Sequence, residues 1–123
     1  MREIKFRGRQ LSTGKWIYGD LVHDNIGGFY VYPMDCNGLF RDNKVAAETI
    51  GQFTGLNDKN GNEIYEGDIV RCQRFVYQVE YDNERIASFF LRRKDDMYRH
   101  YFGEAMEADE CEVIGTKFEK SEK

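Results

Sequence analysis

A chain of 123 residues, 15% aromatic and 33% charged with a net charge of −4, is sized for one domain whose folding buries roughly two thirds of the surface its unfolded form exposes. So many large rings beside so many charges exclude a disordered chain, and the acidic balance excludes a general electrostatic pull towards nucleic acid or an anionic membrane. No apolar run approaches the ~20 residues that span a bilayer, so membrane insertion is excluded too.

The opening MREIKFRGRQ carries charge with no apolar segment behind it, so no signal peptide is expected, and Arg2 stands where myristoylation needs Gly. Short runs dense in β-branched and aromatic residues then follow at 4–6, 16–22, 29–32, 49–54, 69–81, 87–91 and 113–118, each expected to be a strand. The clearest is the run with Phe75, Tyr77, Val79 and Tyr81 on alternate positions, the pattern of a half-buried strand. Residues 12–14, 26–28, 37–38, 57–61, 66–68 and 82–84 hold the Gly, Asn and Asp that tight turns use. One candidate helix, 95–109, places Met97, Tyr101, Ala105 and Ala108 at roughly helical spacing; Gly103 interrupts it, and a loop with one helical turn is the alternative. The tail 119–123, EKSEK, is expected to be disordered, which leaves 1–118 as one domain.

Residues that could carry chemistry are scattered. Cys36, Cys72 and Cys111 are an odd, widely spaced set that suits a reducing cytoplasm and makes no zinc site, and Cys72 reads as a small buried strand residue. Asp109 and Glu110 beside Cys111 disfavour a thiolate. His23 and His100 lie in no metal spacing, and Ser12, Ser88 and Ser121 lie in no nucleophile elbow. Gly51, Gly55 and Gly61 are not followed by the Lys-Ser or Lys-Thr of a phosphate cradle. The segment 58–63, DKNGNE, resembles a calcium loop only until the register is tried. With Gly61 as sixth position, the first and twelfth fall on Leu56 and Gly67, so Asn60 and Gly61 are read as a hairpin turn. Gly67 and Asp68 are likewise read as a structural turn, Asp68 bonding nearby amides. No catalytic, cofactor-binding or metal-binding residue is assigned.

Two basic areas remain. Arg2, Lys5, Arg7, Arg9 and Lys15 form the first. The second, Arg92, Arg93, Lys94 and Arg99, is interleaved with Tyr98, Tyr101 and Phe102, the mixture that single-strand nucleic acid binders use to neutralise phosphate and stack bases. Asp95 and Asp96 interrupt that patch and five acids between Glu104 and Glu112 follow it, so a solvated hairpin tip beside core aromatics is the competing reading. Arg92, Arg93, Lys94, Tyr98, Arg99, Tyr101 and Phe102 are the candidate interaction surface.

The stretch 50–70, IGQFTGLNDKNGNEIYEGDIV, with MREIKFRG at the start, KWIYGDLV at 15–22 and CEVIGTKFE at 111–119, resembles the YopX family of bacteriophages and prophages across nearly the whole chain. The turn Glu66-Gly67-Asp68 before Ile69 and Val70 also looks like the turn leading into a strand of SH3-like barrels. The resemblance implies that small-barrel fold, a phage or prophage setting inside a bacterial cytoplasm, and no defined chemistry. The expected fold is therefore all-β, a small SH3-like barrel or roll of short antiparallel strands with an N-terminal strand extension and little helix. The expected function is a non-enzymatic binding module that contacts a host or phage protein or a second copy of itself, with no cofactor and no membrane. Single-stranded DNA or RNA binding is the alternative, and an enzyme built on carboxylates the third.

Overall fold

Gly8 shows how the first strands fit: it lies opposite Ile17, and a Cβ on it would stand 2.9 Å from the Val45 Cβ, so only its bare backbone lets Val45 reach the sheet. The computed structural model describes residues 3–33, 43–83, 88–93, 99–102 and 107–118, among which there are eleven strands and no α-helix. They fall into two units, Met1–Phe53 and Thr54–Lys123, both reaching into the stretch expected to form one domain.

In the first unit, β1 (Phe6–Arg9), β2 (Trp16–His23), β3 (Phe29–Tyr32), β4 (Lys44–Val45) and the start of β5 (Gly51–Asn57) pair in the order β4-β3-β2-β1-β5. Successive side chains alternate across this sheet. Gly8, Ile17, Leu21, Val31 and Val45 share one face, where Val31 and Val45 are buried. Arg7, Arg9 and Trp16 share the other, with both guanidinium carbons within 4.9 Å of the Trp16 ring centre. Stacking on that ring keeps Arg7 in a buried strand position that a sequence pattern reads as polar and exposed. The strand runs over 6–9 rather than the expected 4–6, because the ladder with β2 pairs Phe6–Arg9 with Gly19, Tyr18, Ile17 and Trp16.

The end of β5 pairs with β6 (Glu63–Tyr65) in the second unit, which also holds β7 (Asp68–Cys72), β8 (Phe75–Asp82), β9 (Ser88–Arg93), β10 (Arg99–Tyr101) and β11 (Cys111–Thr116). These last five form an antiparallel sheet in the order β10-β9-β8-β7-β11. Ile64, Val70, Cys72, Tyr77, Val79, Leu91, Ala108 and Cys111 make its core, with Phe102 and Val113 packed against them.

Four expectations are corrected. The described residues are all-β and antiparallel, but neither sheet closes on itself among them, so they form no closed barrel. The run 69–81 is a hairpin rather than one strand: Cys72 pairs with Phe75, leaving Gln73 and Arg74 as a two-residue turn, and Gln73 takes φ 59°. Positive φ at the first central position is what a type II′ turn requires, and it is normally supplied by Gly. The candidate helix at 95–109 contains a strand instead, because Arg99, His100 and Tyr101 pair with Arg92, Leu91 and Phe90; residues 108–110 form a single 3-10 turn. Finally, Cys72 and Cys111 are joined by a disulfide. β7 and β11 set them directly opposite with Cα atoms 4.2 Å apart, although they lie 39 positions apart in sequence. Cys36 lies outside the described residues.

Among the described residues no helix is long and apolar enough to cross a membrane.

Candidate interaction surface

Strand alternation decides what becomes of the basic and aromatic patch. The registers Gln78↔Arg92↔Arg99 and Glu80↔Phe90↔Tyr101, with Asp82 opposite Ser88, put Arg92, Arg99 and Tyr101 on one face of β8, β9 and β10. Arg93 falls on the other face, its guanidinium carbon 4.0 Å from the Phe75 ring centre. His100 goes to that side too, edge-on to Tyr77 at 5.5 Å, and Phe102 packs against the core. Lys94 and Tyr98 lie outside the described residues. Of the seven residues named from the sequence, the fold therefore gathers three and sends two elsewhere.

The gathered three are matched by carboxylates that the sequence reading left out. Arg92 Nε lies 3.0 Å from Glu80 Oε2, which also accepts a hydrogen bond from Gln78 Nε2 at 3.2 Å. Arg99 lies 2.9 Å from Asp82 Oδ1, and the Tyr101 hydroxyl donates to Asp82 Oδ2. Phe90 is only 1% exposed, beneath the guanidinium groups of Arg99 and Arg92 at 4.8 and 5.4 Å from its centre, with the Tyr101 ring 5.8 Å away. The bond to Asp82 raises the pKa of Tyr101 above the ordinary tyrosine value, reinforced by burial. It also raises that of Arg99, against the effect of burial. Two carboxylates thus balance two guanidiniums. A signal for this was present: Glu80 and Asp82 are two apart in a strand, which places both on one face. The turn-like sequence at 82–84 hid it.

On the same face, beside Arg92, is a hollow of about 350 Å³ lined by Ile69, Val76 and Gln78. The face is chemically mixed: an apolar hollow next to charges already satisfied.

The turn residues read from the sequence lie at the other end of the sheet. Asp58, buried, accepts the amides of Asn60 and Asn62 on Oδ1 and that of Val113 on Oδ2. Gly61 closes this turn at φ 84° with open space where a Cβ would be. Gly67 has φ 96°; its amide donates to Val79 and its carbonyl accepts from Lys117, so it sits between two chain segments. Asp68 is buried and its Oδ2 accepts the Tyr65 amide at 2.7 Å.

The family model described as YopX protein matches residues 5–123. The chain belongs to the YopX family. The match runs from just before β1 past the end of β11, so both sheets are YopX structure and neither is an appended module. No curated protein matches the chain.

Proposed function

We propose that the protein is a phage- or prophage-encoded binding module without enzymatic activity, acting through protein contacts with a host or phage protein or with a second copy of itself. The observation that carries this reading is the charge balance of the β8–β10 face, where Glu80 and Asp82 match Arg92 and Arg99. A phosphate backbone gains affinity by replacing counterions on open cations, and cations already matched in the sheet have little to offer it. A protein partner needs no such surplus. The hollow beside Arg92, the exposed Val76 and the Tyr101 ring are features that desolvate well against another protein. The turn at Gly67 and Asp68 supports an SH3-like relationship confined to that turn. The phage setting and a cytoplasmic location rest on the family resemblance, and the Cys72–Cys111 disulfide weighs against the second, since cytosolic thiols are held reduced.

Single-stranded nucleic acid binding is the reading to be excluded. Fluorescence anisotropy with labelled single-stranded DNA and RNA across a salt series is expected to show only weak binding that vanishes as salt rises. Submicromolar binding at about 150 mM salt, lost in an Arg92→Ala, Arg99→Ala double variant, would promote nucleic acid over protein as the partner. Sedimentation of the pure chain over a concentration series tests self-association directly.

A further inference from the structure

Among the described large apolar residues Ile26 stands out, 88% exposed in the turn between β2 and β3. The turn that carries it is held from several sides. Asp24 Oδ1 accepts the amides of Ile26 at 3.0 Å and Gly28 at 2.7 Å, and Asp24 Oδ2 accepts the Tyr30 hydroxyl at 2.9 Å. The Asp24 amide donates to the Gly28 carbonyl at 2.9 Å, and Gly27 supplies the left-handed φ of 97° that the turn needs. Branching at Cβ stiffens the isoleucine itself. A side chain so fixed loses little freedom on docking, so the turn presents an apolar knob ready for burial.

A receptor for such a knob exists in the same chain. The hollow of about 350 Å³ beside Arg92, with Ile69 and Val76 as its apolar lining, has room for one branched side chain and its flanking backbone. Polar groups match as well. Arg92 gives Glu80 only its Nε, and its Nη groups make no hydrogen bond among the described residues; the carbonyls of Asn25 and Ile26 make none either. Charge does not oppose the contact. At the hollow Glu80 meets Arg92 and Glu112 lies opposite Arg71, and at the knob Lys44 attracts Asp24. Of the other flanking charges, Arg74 is two positions before Val76 and Asp20 lies in β2, and these are opposite in sign. We propose that Ile26 of one copy docks in the Ile69–Val76 hollow of a second copy. The contact joins unlike surfaces, so every copy offers one knob and one hollow. The proposal rests on the reading of the β8–β10 face as a protein-binding surface and names its occupant.

The test is sedimentation of the full chain over a concentration series, with amide NMR spectra confirming that each variant keeps the parent fold. The parent is expected to associate reversibly, and Ile26→Ser and Val76→Gln, both at exposed positions, are each expected to weaken association about ten- to a hundredfold. Leu11→Ser, which removes a different exposed apolar side chain, is expected to change nothing. Mixing decides the geometry. Ile26→Ser keeps an intact hollow and Val76→Gln an intact knob, so an equimolar mixture should form a one-to-one pair where neither variant associates alone. A parent that stays monomeric at about 1 mM, where even a millimolar dissociation constant populates the complex, would overturn the proposal. So would association that Leu11→Ser weakens as much as Ile26→Ser does, or a mixture that sediments as its separate parts. Each of these results removes the second copy as occupant and leaves a host or phage protein as the partner, whereas tight nucleic acid binding in the anisotropy series would remove the protein-binding reading itself.

Discussion

Asp58 Oδ2 accepts the main-chain amide of Val113 at 2.9 Å across 55 positions of sequence, while its Oδ1 holds the amides of Asn60 and Asn62. Lys59 adds a bond from its amide to the Cys111 carbonyl. A turn that looks purely local thereby fixes the start of β11. Burial pushes the Asp58 carboxyl up, and the amides of Val113, Asn62 and Asn60 together outweigh it, holding the carboxyl below the usual carboxylate value.

Asp58→Ala is expected to cost about 2–3 kcal/mol of stability, because it orphans amide donors that are bonded to a charged acceptor. Because the folded carboxyl is depressed, its contribution is complete above an unfolded value of about 4 and is lost as pH falls through the folded value. Urea unfolding from neutral pH downwards checks both points: the variant should lose part of the acid sensitivity of the parent. An identical acid profile would mean that Asp58 is not the group responsible.

Asp82→Asn removes the charge that both Arg99 and Tyr101 meet. Tyr101 should then titrate closer to an ordinary tyrosine, seen as a downward shift of one phenol in an ultraviolet titration. The raised folded value also fixes a sign: this contribution is present below the unfolded tyrosine value and disappears as pH rises through the folded one. Alkaline unfolding should consequently depend less steeply on pH in the variant, and Tyr101→Phe should do the same.

Gln73 holds a conformation that costs a side chain about 1 kcal/mol or more and glycine almost nothing. Gln73→Gly is accordingly expected to raise stability by about 0.5–1 kcal/mol. The opposite change, Gly61→Val, is expected to lose about 1–3 kcal/mol through backbone strain, since the space around Gly61 is open and only its φ of 84° opposes a side chain. Thermal melts of the two variants should move in opposite directions.

The disulfide closes a loop of 39 positions, and a crosslink of that span stabilises by about 2–4 kcal/mol through the unfolded chain. A thiol reductant should lower the melting temperature of the parent protein and leave a Cys72→Ser, Cys111→Ser variant unmoved. A parent that melts identically with and without reductant would show that the bond is absent in solution.

What the sequence made legible followed periodicity and turn chemistry. Phe75, Tyr77, Val79 and Tyr81 alternate and form β8; Gly61 and Gly67 stand in turns, and both have positive φ. The misses have different physical origins. Gln73 and Arg74 carry no turn signal, so one long strand was expected where a hairpin folds. Arg7 is buried by stacking on Trp16, an environment that only the neighbouring strand creates. The patch at 92–102 reads as one surface because neighbours in sequence look like neighbours in space. A strand instead sends Arg92 and Arg93 to opposite sides, and the carboxylates that match Arg92 and Arg99 come from β8. The partner of Cys72 was equally hidden, since register alone sets it opposite Cys111.

β11 is the outermost strand of its sheet, and such a margin ordinarily offers a ladder of unused amides and carbonyls to any passing chain. Here the Cys111 carbonyl and the Val113 amide are already taken by the turn at 58–59, and the register shifts immediately beyond Val113. A foreign strand laid along this margin finds no continuous ladder to extend. The fold thus carries its own safeguard against fibril-like stacking along β11, and the polar turn that supplies it performs a protective duty as well as a structural one.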